Sequence, residues 1–199
     1  MAGAEGGKMP GLLVHICCAP DALYVLDLLK QTHRPGSTLI TAYFYNPNIH
    51  PLREYDLRLE EARKAASLLG LTLLEGPRDF DRWTVLTRKF KDEPEKGRRC
   101  DVCYALRLEE TARAAARLGF EAFTTVMSLS PWKKADVLNR LGQMFGRRTK
   151  VAFLEANFKK KDGFRRSVLL SKEHGLYRQD YCGCVYSMKP GAAVSDSHD

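Results

Sequence analysis

No stretch of the sequence approaches the roughly 18 to 20 consecutive apolar residues that a membrane-spanning helix needs, which excludes such a helix. The first ten residues hold a single lysine, several glycines and no apolar core, so they have the makings of neither a signal peptide nor an anchor. A cytoplasmic protein with no membrane partner is therefore expected. No internal repeat is present, which leaves one non-repetitive fold. Acidic residues are in deficit: 24 Asp and Glu stand against 32 Lys and Arg, for a net charge of +8. Such a surface favours approach to phosphates, mainly through counterion release, so a nucleic-acid partner is expected beside the plainer alternative of a solvated basic face.

What is present is ordinary globular material. Hydrophobic residues make up 44% and charged residues 28%, which argues against bulk disorder. A chain of 199 residues can bury one sizeable core but not two comfortable ones. We expect a single domain over 11–188, with disordered tails at 1–10 and 189–199.

Along that domain, apolar runs alternate with helical periodicity. Strands are expected at Gly11–Ile16, Ser37–Tyr45, Leu71–Leu74, Glu121–Met127 and within Arg147–Leu154. Helices are expected at Asp21–Gln31, Arg53–Leu69, Asp79–Lys91 (Trp83, Leu86 and Phe90 inward), from Cys100 or Asp101 to Leu118, at Ala135–Phe145 and at Gly163–His174. The alternation predicts an α/β domain: a Rossmann-like, parallel five-stranded sheet covered by helices, with right-handed crossovers. Ligands of such sheets gather beyond the carboxyl ends of the strands, where strand order reverses. The first strand ends there on Cys17 and Cys18. A helix that precedes a parallel strand runs antiparallel to it, so the helix beginning at Cys100 has its N-terminus at the same edge.

The six cysteines form three close pairs. In a reducing compartment such usage argues for metal or redox chemistry over a disulfide framework. Adjacent Cys17 and Cys18 can bridge each other only through a strained ring, so they point at something else. Cys100-Asp101-Val102-Cys103 puts two thiols on one helical turn at the positive end of a helix, which favours the thiolate form. The four together suffice for a zinc site or a [4Fe–4S] cluster; their place at the active edge of a domain with its own core favours the cluster. Cys182-Gly183-Cys184 can close a small, labile disulfide, with Gly183 supplying the backbone freedom; a second pair of metal ligands, or two buried thiols, fits the spacing as well.

Asp21 and Asp101 flank the first two pairs. Each can cap a helix N-terminus, protonate a leaving oxygen or ligate a metal. His15, inside a strand, reads as a satisfied core residue. Basic groups at Arg98-Arg99, Arg147-Arg148, Lys159–Lys161 and Arg165-Arg166, with Tyr177, Tyr181 and Tyr186 around the last cysteine pair, suit an RNA substrate on whose bases the tyrosines could stack.

Four motifs in order, V-H-I-C-C-A-P-D (14–21), F-Y-N-P-N-I-H-P (44–51) followed by E-Y, R-C-D-V-C-Y (99–104) and D-Y-C-G-C-V-Y-S (180–187), resemble the QueH family of epoxyqueuosine reductases. The resemblance spans about Leu12 to Ser187. It implies the last step of queuosine formation: reduction of the epoxide of epoxyqueuosine, at the wobble base of tRNA, to the cyclopentene with loss of water. It further implies a [4Fe–4S] cluster on Cys17, Cys18, Cys100 and Cys103, a redox-active pair in Cys182 and Cys184, and an unidentified electron donor. An additional mononuclear iron beside the cluster is associated with the family, with Asp21 or Asp101 as candidates to help hold it. The first strand, loop and helix also look like the start of the adenine-nucleotide hydrolase-like folds of ATP pyrophosphatases, with Cys-Cys-Ala-Pro where those carry a Gly/Ser-rich phosphate loop. Two other readings are an ATP-dependent tRNA thiolase with an iron–sulfur cluster and a zinc-stabilised RNA-binding module.

Overall fold

The computed structural model describes residues 9–33 and 38–188. The expected tails at 1–10 and 189–199 fall outside them apart from Met9 and Pro10, and so does Ser37. The elements are β1 (Met9–Ile16), α1 (Ala19–Thr32), β2 (Leu39–Phe44), α2 (Leu52–Leu68), β3 (Thr72–Glu75), α3 (Phe80–Thr87), α4 (Arg98–Arg117), β4 (Phe120–Thr125), α5 (Ala135–Thr149), β5 (Ala152–Phe153) and α6 (Gly163–Glu173).

All strand pairings are parallel, in the order β3-β2-β1-β4-β5. This is the expected Rossmann-like sheet of the adenine-nucleotide hydrolase kind. β1 lies at its centre, and Leu12, Leu13, Val14, His15 and Ile16 are all fully buried. Burial on both faces explains why β1 is a continuous apolar run and not an alternating one. α1 lies between α2 and α6 on one face, and α4 packs on α5 on the other side of the chain's first strand. Successive strands run outward from β1 through β2 to β3, then the chain returns to add β4 and β5 on the opposite side. Strand order therefore reverses at β1, and the crevice lies beyond Ile16 and Thr125.

Helix boundaries follow local chemistry. In α2 the positions Tyr55, Leu59, Ala62 and Ala66 are buried at helical spacing, and Gly70, at φ +65°, ends the segment. α1 begins at Ala19, earlier than expected, because Pro20 in the first turn gives up an N–H that has no intrahelical partner there. α4 likewise begins at Arg98, with Gly97 at its N-cap. Neither Asp21 nor Asp101 is thus an N-cap: both sit inside the first turn of their helices, where a carboxylate still favours the helix dipole. α3 is shorter than the expected helix and continues as a 3-10 turn over Arg88–Phe90. Thr87, four residues after Trp83, is buried in place of Leu86, which is 39% exposed. α5 runs on to Thr149, leaving only Ala152 and Phe153 for the edge strand.

Candidate metal and redox centre

The β1–α1 connection is short enough to put three ligating groups together. The Cys17 and Cys18 sulfurs lie 4.0 Å apart. With a carboxylate oxygen of Asp21 they form a group whose atoms all lie within 4.8 Å of one another, every member buried. This cluster of soft and hard donors can hold a metal ion. α4 arrives at the same edge: Cys103 is buried, and half-buried Cys100 lines a pocket of about 330 Å³ together with Asp21, Tyr104, Lys133 and Cys182. Cys100 and Cys103 stay outside the 4.8 Å group. One carboxylate oxygen of Asp101, Oδ1, is buried and has no hydrogen-bond partner.

The third pair follows α6 on an irregular segment. Gly183 has φ +107°, and an added Cβ would lie 3.0 Å from Arg58 Nη1 and 3.1 Å from Ile49 Cγ1, so only glycine fits. The Arg58 guanidinium, almost fully buried, donates to the carbonyls of Cys182 and Tyr181, each at 3.1 Å, and pairs with Glu54 at 2.7 Å. The Gly183 carbonyl accepts from the His50 N–H at 2.8 Å. Cys184 Sγ donates to Ser187 Oγ at 3.4 Å. All six cysteines are free.

The electrostatics are those of a site built around negative sulfur. The neighbouring Cys184 thiol lowers Cys182 to about 6, against its burial and with help from Lys133, Arg107 and Arg58. Cys17 is held well below the usual thiol range by its hydrogen bond with Cys18, again against burial and aided by the same cations. Burial, then the Cys17 charge, pushes Asp21 up to about 7. Burial works to lower Lys133, but Cys17, Cys182 and Asp21 outweigh it and hold the ammonium charged.

Three of these residues carry no sequence expectation. Arg107 is 2% exposed; its Nη2 donates to Asn46 Oδ1 at 2.6 Å and its Nε to His15 Nε2 at 3.4 Å. Asn46 in turn donates to the Ile16 carbonyl at 2.9 Å, tying the end of β1 to α4. One signal pointed to Arg107: it follows Cys103 by four residues and Cys100 by seven, on the buried face of α4. Arg58 and Lys133 left no such signal, since an isolated cation in a basic sequence reads as surface. His15 is the satisfied core residue expected, with Nδ1 at 2.9 Å from Thr125 Oγ1 and Nε2 at 3.1 Å from the Tyr45 carbonyl.

The expected RNA-facing groups are partly occupied by the fold. Arg99 donates to the carbonyls of Phe90, Lys91 and Glu93 and lies 4.6 Å from the centre of the Tyr186 ring. Lys159 donates to the Lys133 carbonyl at 2.7 Å. Tyr177 donates to Glu54, and Tyr181 donates to the His50 carbonyl beneath Arg58. Tyr186 packs on Trp83. Arg58 thus covers one face of the Tyr181 ring, and Trp83 and Arg99 pack on Tyr186.

A family model described as epoxyqueuosine reductase QueH matches residues 12–190. Among curated relatives, the epoxyqueuosine reductase QueH of Histophilus somni is 37% identical over 179 residues, covering 89% of this chain and 72% of that protein. That of Thermotoga maritima is 36% identical over 183 residues, covering 90% of this chain and 91% of that protein. Among solved structures, the U34-tRNA thiolase NcsA from Methanococcus maripaludis, with its [4Fe–4S] cluster, aligns with a TM-score of 0.58 at 14% identity, over 92% of this chain and 62% of that one. A predicted tRNA methyltransferase subunit from Methanocaldococcus jannaschii aligns with a TM-score of 0.53 at 13% identity, over 81% and 76%. Likeness at this identity speaks for the fold alone.

Proposed function

Because the chain belongs to the QueH family of epoxyqueuosine reductases, we propose that it reduces the epoxide of epoxyqueuosine in tRNA with an iron–sulfur centre on Cys17, Cys18, Cys100 and Cys103 and a dithiol of Cys182 and Cys184. It is an oxidoreductase of queuosine formation, and we assign it to the cytoplasm, where its substrate is. The observation that carries the reading is one pocket lined by Cys100, Cys182 and Asp21, beside the Cys17–Cys18–Asp21 donor group.

The residues fit such a centre. Four thiolates on one zinc would lie about 3.8 Å apart, from Zn–S bonds of ~2.3 Å in a tetrahedron. Cys17 and Cys18, at 4.0 Å, keep that single-ion spacing, while Cys100 and Cys103 lie outside the 4.8 Å group, so the four thiols do not stand as one tetrahedral zinc site. Buried Arg107 and half-buried Lys133 supply positive charge against the thiolates. When bound, such a centre, with the additional iron associated with the family, supplies electron transfer and Lewis acidity toward the epoxide oxygen. Asp21, together with the unpartnered Asp101 carboxylate, is the candidate to hold that second iron or to deliver a proton to the leaving oxygen.

Epoxide to alkene requires two electrons and two protons and releases water. Closing the Cys182 thiolate and the Cys184 thiol to a disulfide yields two electrons and one proton, the second proton comes from Asp21 or solvent, and an external donor must reopen the pair. The depressed Cys182 thiol is the one disposed to react as thiolate. The pocket walls orient the substituent, and Tyr104 and Lys133 offer it polar partners.

The test is anaerobic incubation of the protein with tRNA carrying epoxyqueuosine, followed by nucleoside analysis. Queuosine should appear. Cys182→Ser and Cys184→Ser should each keep iron, sulfide and visible absorbance while losing turnover. Full activity with both replaced ends the dithiol role. Stoichiometric zinc without iron or sulfide ends the redox account.

A further inference from the structure

Of the two tryptophans, Trp83 is 1% exposed and Trp132 is 61% exposed. Exposure by itself means little, since Val85, Leu169 and Leu52 are comparably exposed. Trp132, unlike those, lines the pocket that Cys100, Lys133 and Cys182 also line. It stands on the segment that joins the turn after β4 to α5, and that segment is pinned. Trp132 N–H donates to Ser130 Oγ at 3.3 Å, Lys133 N–H to the Ser130 carbonyl at 3.2 Å, and Lys159 Nζ to the Lys133 carbonyl at 2.7 Å. An indole held out over solvent on a fixed loop keeps apolar area in water without serving the core.

The opposite lip supplies a cation. Lys96 Nζ lies 4.4 Å from the centre of the Trp132 ring, a cation–π distance. Lys96 adopts φ +69°, a left-handed conformation that costs a non-glycine residue strain, and its N–H donates to Cys100 Sγ at 3.3 Å. One strained residue therefore touches both a candidate cluster ligand and the exposed indole. The pocket itself is lined by the cations Lys133 and Arg178 and the acids Asp21, Glu95 and Asp180, and Lys96 adds a cation beside Trp132.

We propose that Trp132 is the stacking platform on which a nucleobase of a single-stranded RNA loop rests at the mouth of the redox pocket, on the indole face opposite Lys96. Base-to-indole stacking recognises unpaired bases whatever their identity, because every base has a π-face and a duplex does not offer it. Lys96 beside the ring and the chain's net charge of +8 attract the backbone of the same loop. This rests on the reading that the substrate nucleoside is carried in tRNA, and it locates the stacking function on a residue that none of Tyr177, Tyr181 and Tyr186 duplicates.

The experiment is fluorescence anisotropy of a labelled anticodon stem-loop against the holoenzyme, over a range of salt. Trp132→Ala should weaken binding about tenfold, and Trp132→Phe should stay within about threefold of the parent. The slope of affinity against salt should be unchanged, since no phosphate contact is lost. A fully paired RNA of equal length should bind both variants as it binds the parent. Trp132→Ala binding within twofold of the parent, equal loss on loop and duplex, or a changed salt slope would overturn the proposal. Thermal melting and iron content identical to the parent keep a folding defect from imitating the effect. RNA binding that depends on Trp132 in a protein unable to reduce the epoxide would sink the reductase reading alone; reduction with unaltered Trp132→Ala binding would sink this one alone.

Discussion

Cys17, Cys18, Cys100 and Cys103 stand at the ends of regular structure, whereas Cys182 and Cys184 hang on an irregular segment. The first four take their positions from the central strand and from helices packed on it, so no backbone rotation moves one without disturbing the core. The last two are placed by Gly183 at a positive φ and by one guanidinium, Arg58, that accepts no alternative partner without releasing two carbonyls. A metal centre wants ligands that stay where they are. A dithiol that opens and closes wants a segment whose torsions can change, and loops are the low-stability parts of a fold. The contrast is one of placement: two cysteine pairs stand at the ends of regular elements and the third on an irregular segment, as the proposed division between cluster ligands and dithiol requires.

The sharpest way to break that contrast is Cys103→Ser against Cys182→Ser. Loss of iron and sulfide together with all turnover is expected for the first, and full iron content with no turnover for the second. Equal iron loss in both would make Cys182 a ligand and erase the distinction. Next in size is Arg107→Met, which removes a buried guanidinium bonded to Asn46 and facing His15. A loss of about 1–3 kcal/mol in denaturant unfolding is expected, because Asn46 and His15 stay buried after losing this partner. A loss below 1 kcal/mol would show that the β1-to-α4 tie is dispensable.

Gly183→Ala tests the other side of the contrast. About 1–2 kcal/mol of local destabilisation is expected from the positive φ, with crowding by Arg58 and Ile49 added. It should appear as faster hydrogen exchange over residues 181–187 and slower turnover, with iron content unchanged. Smallest is Arg113→Ala, which breaks the 2.7 Å ion pair with Glu109 on the exposed face of α4; less than about 0.5 kcal/mol is expected. A larger effect would mean that the outer face of α4 helps to hold its cysteines.

Much of this was legible in the chain. The continuous apolar run of β1, the 4-3 spacing in α2 and α4 and the glycines at 70 and 119 located the elements to within a few residues. Parallel alternation then put Cys17–Cys18 and the C-x-x-C helix at one edge. Helix starts were less legible: Asp21 and Asp101 look like caps in isolation, but Pro20 and Gly97 set the actual starts. Composition pointed to a basic face, yet Arg99 and Lys159 are spent on carbonyls of the fold and not on phosphates.

Sequence alone determined the parallel sheet, the convergence of the first two cysteine pairs and the family, because these depend on local periodicity, chain order and motif. Tertiary structure alone decided that Arg107 and Arg58 are buried and Lys133 half-buried near the sulfurs, and that Trp132 stands exposed at the pocket mouth. A cation's or a ring's surroundings are set by segments far away in the chain, and neither residue type nor spacing records which distant carbonyl, thiol or ring will meet it.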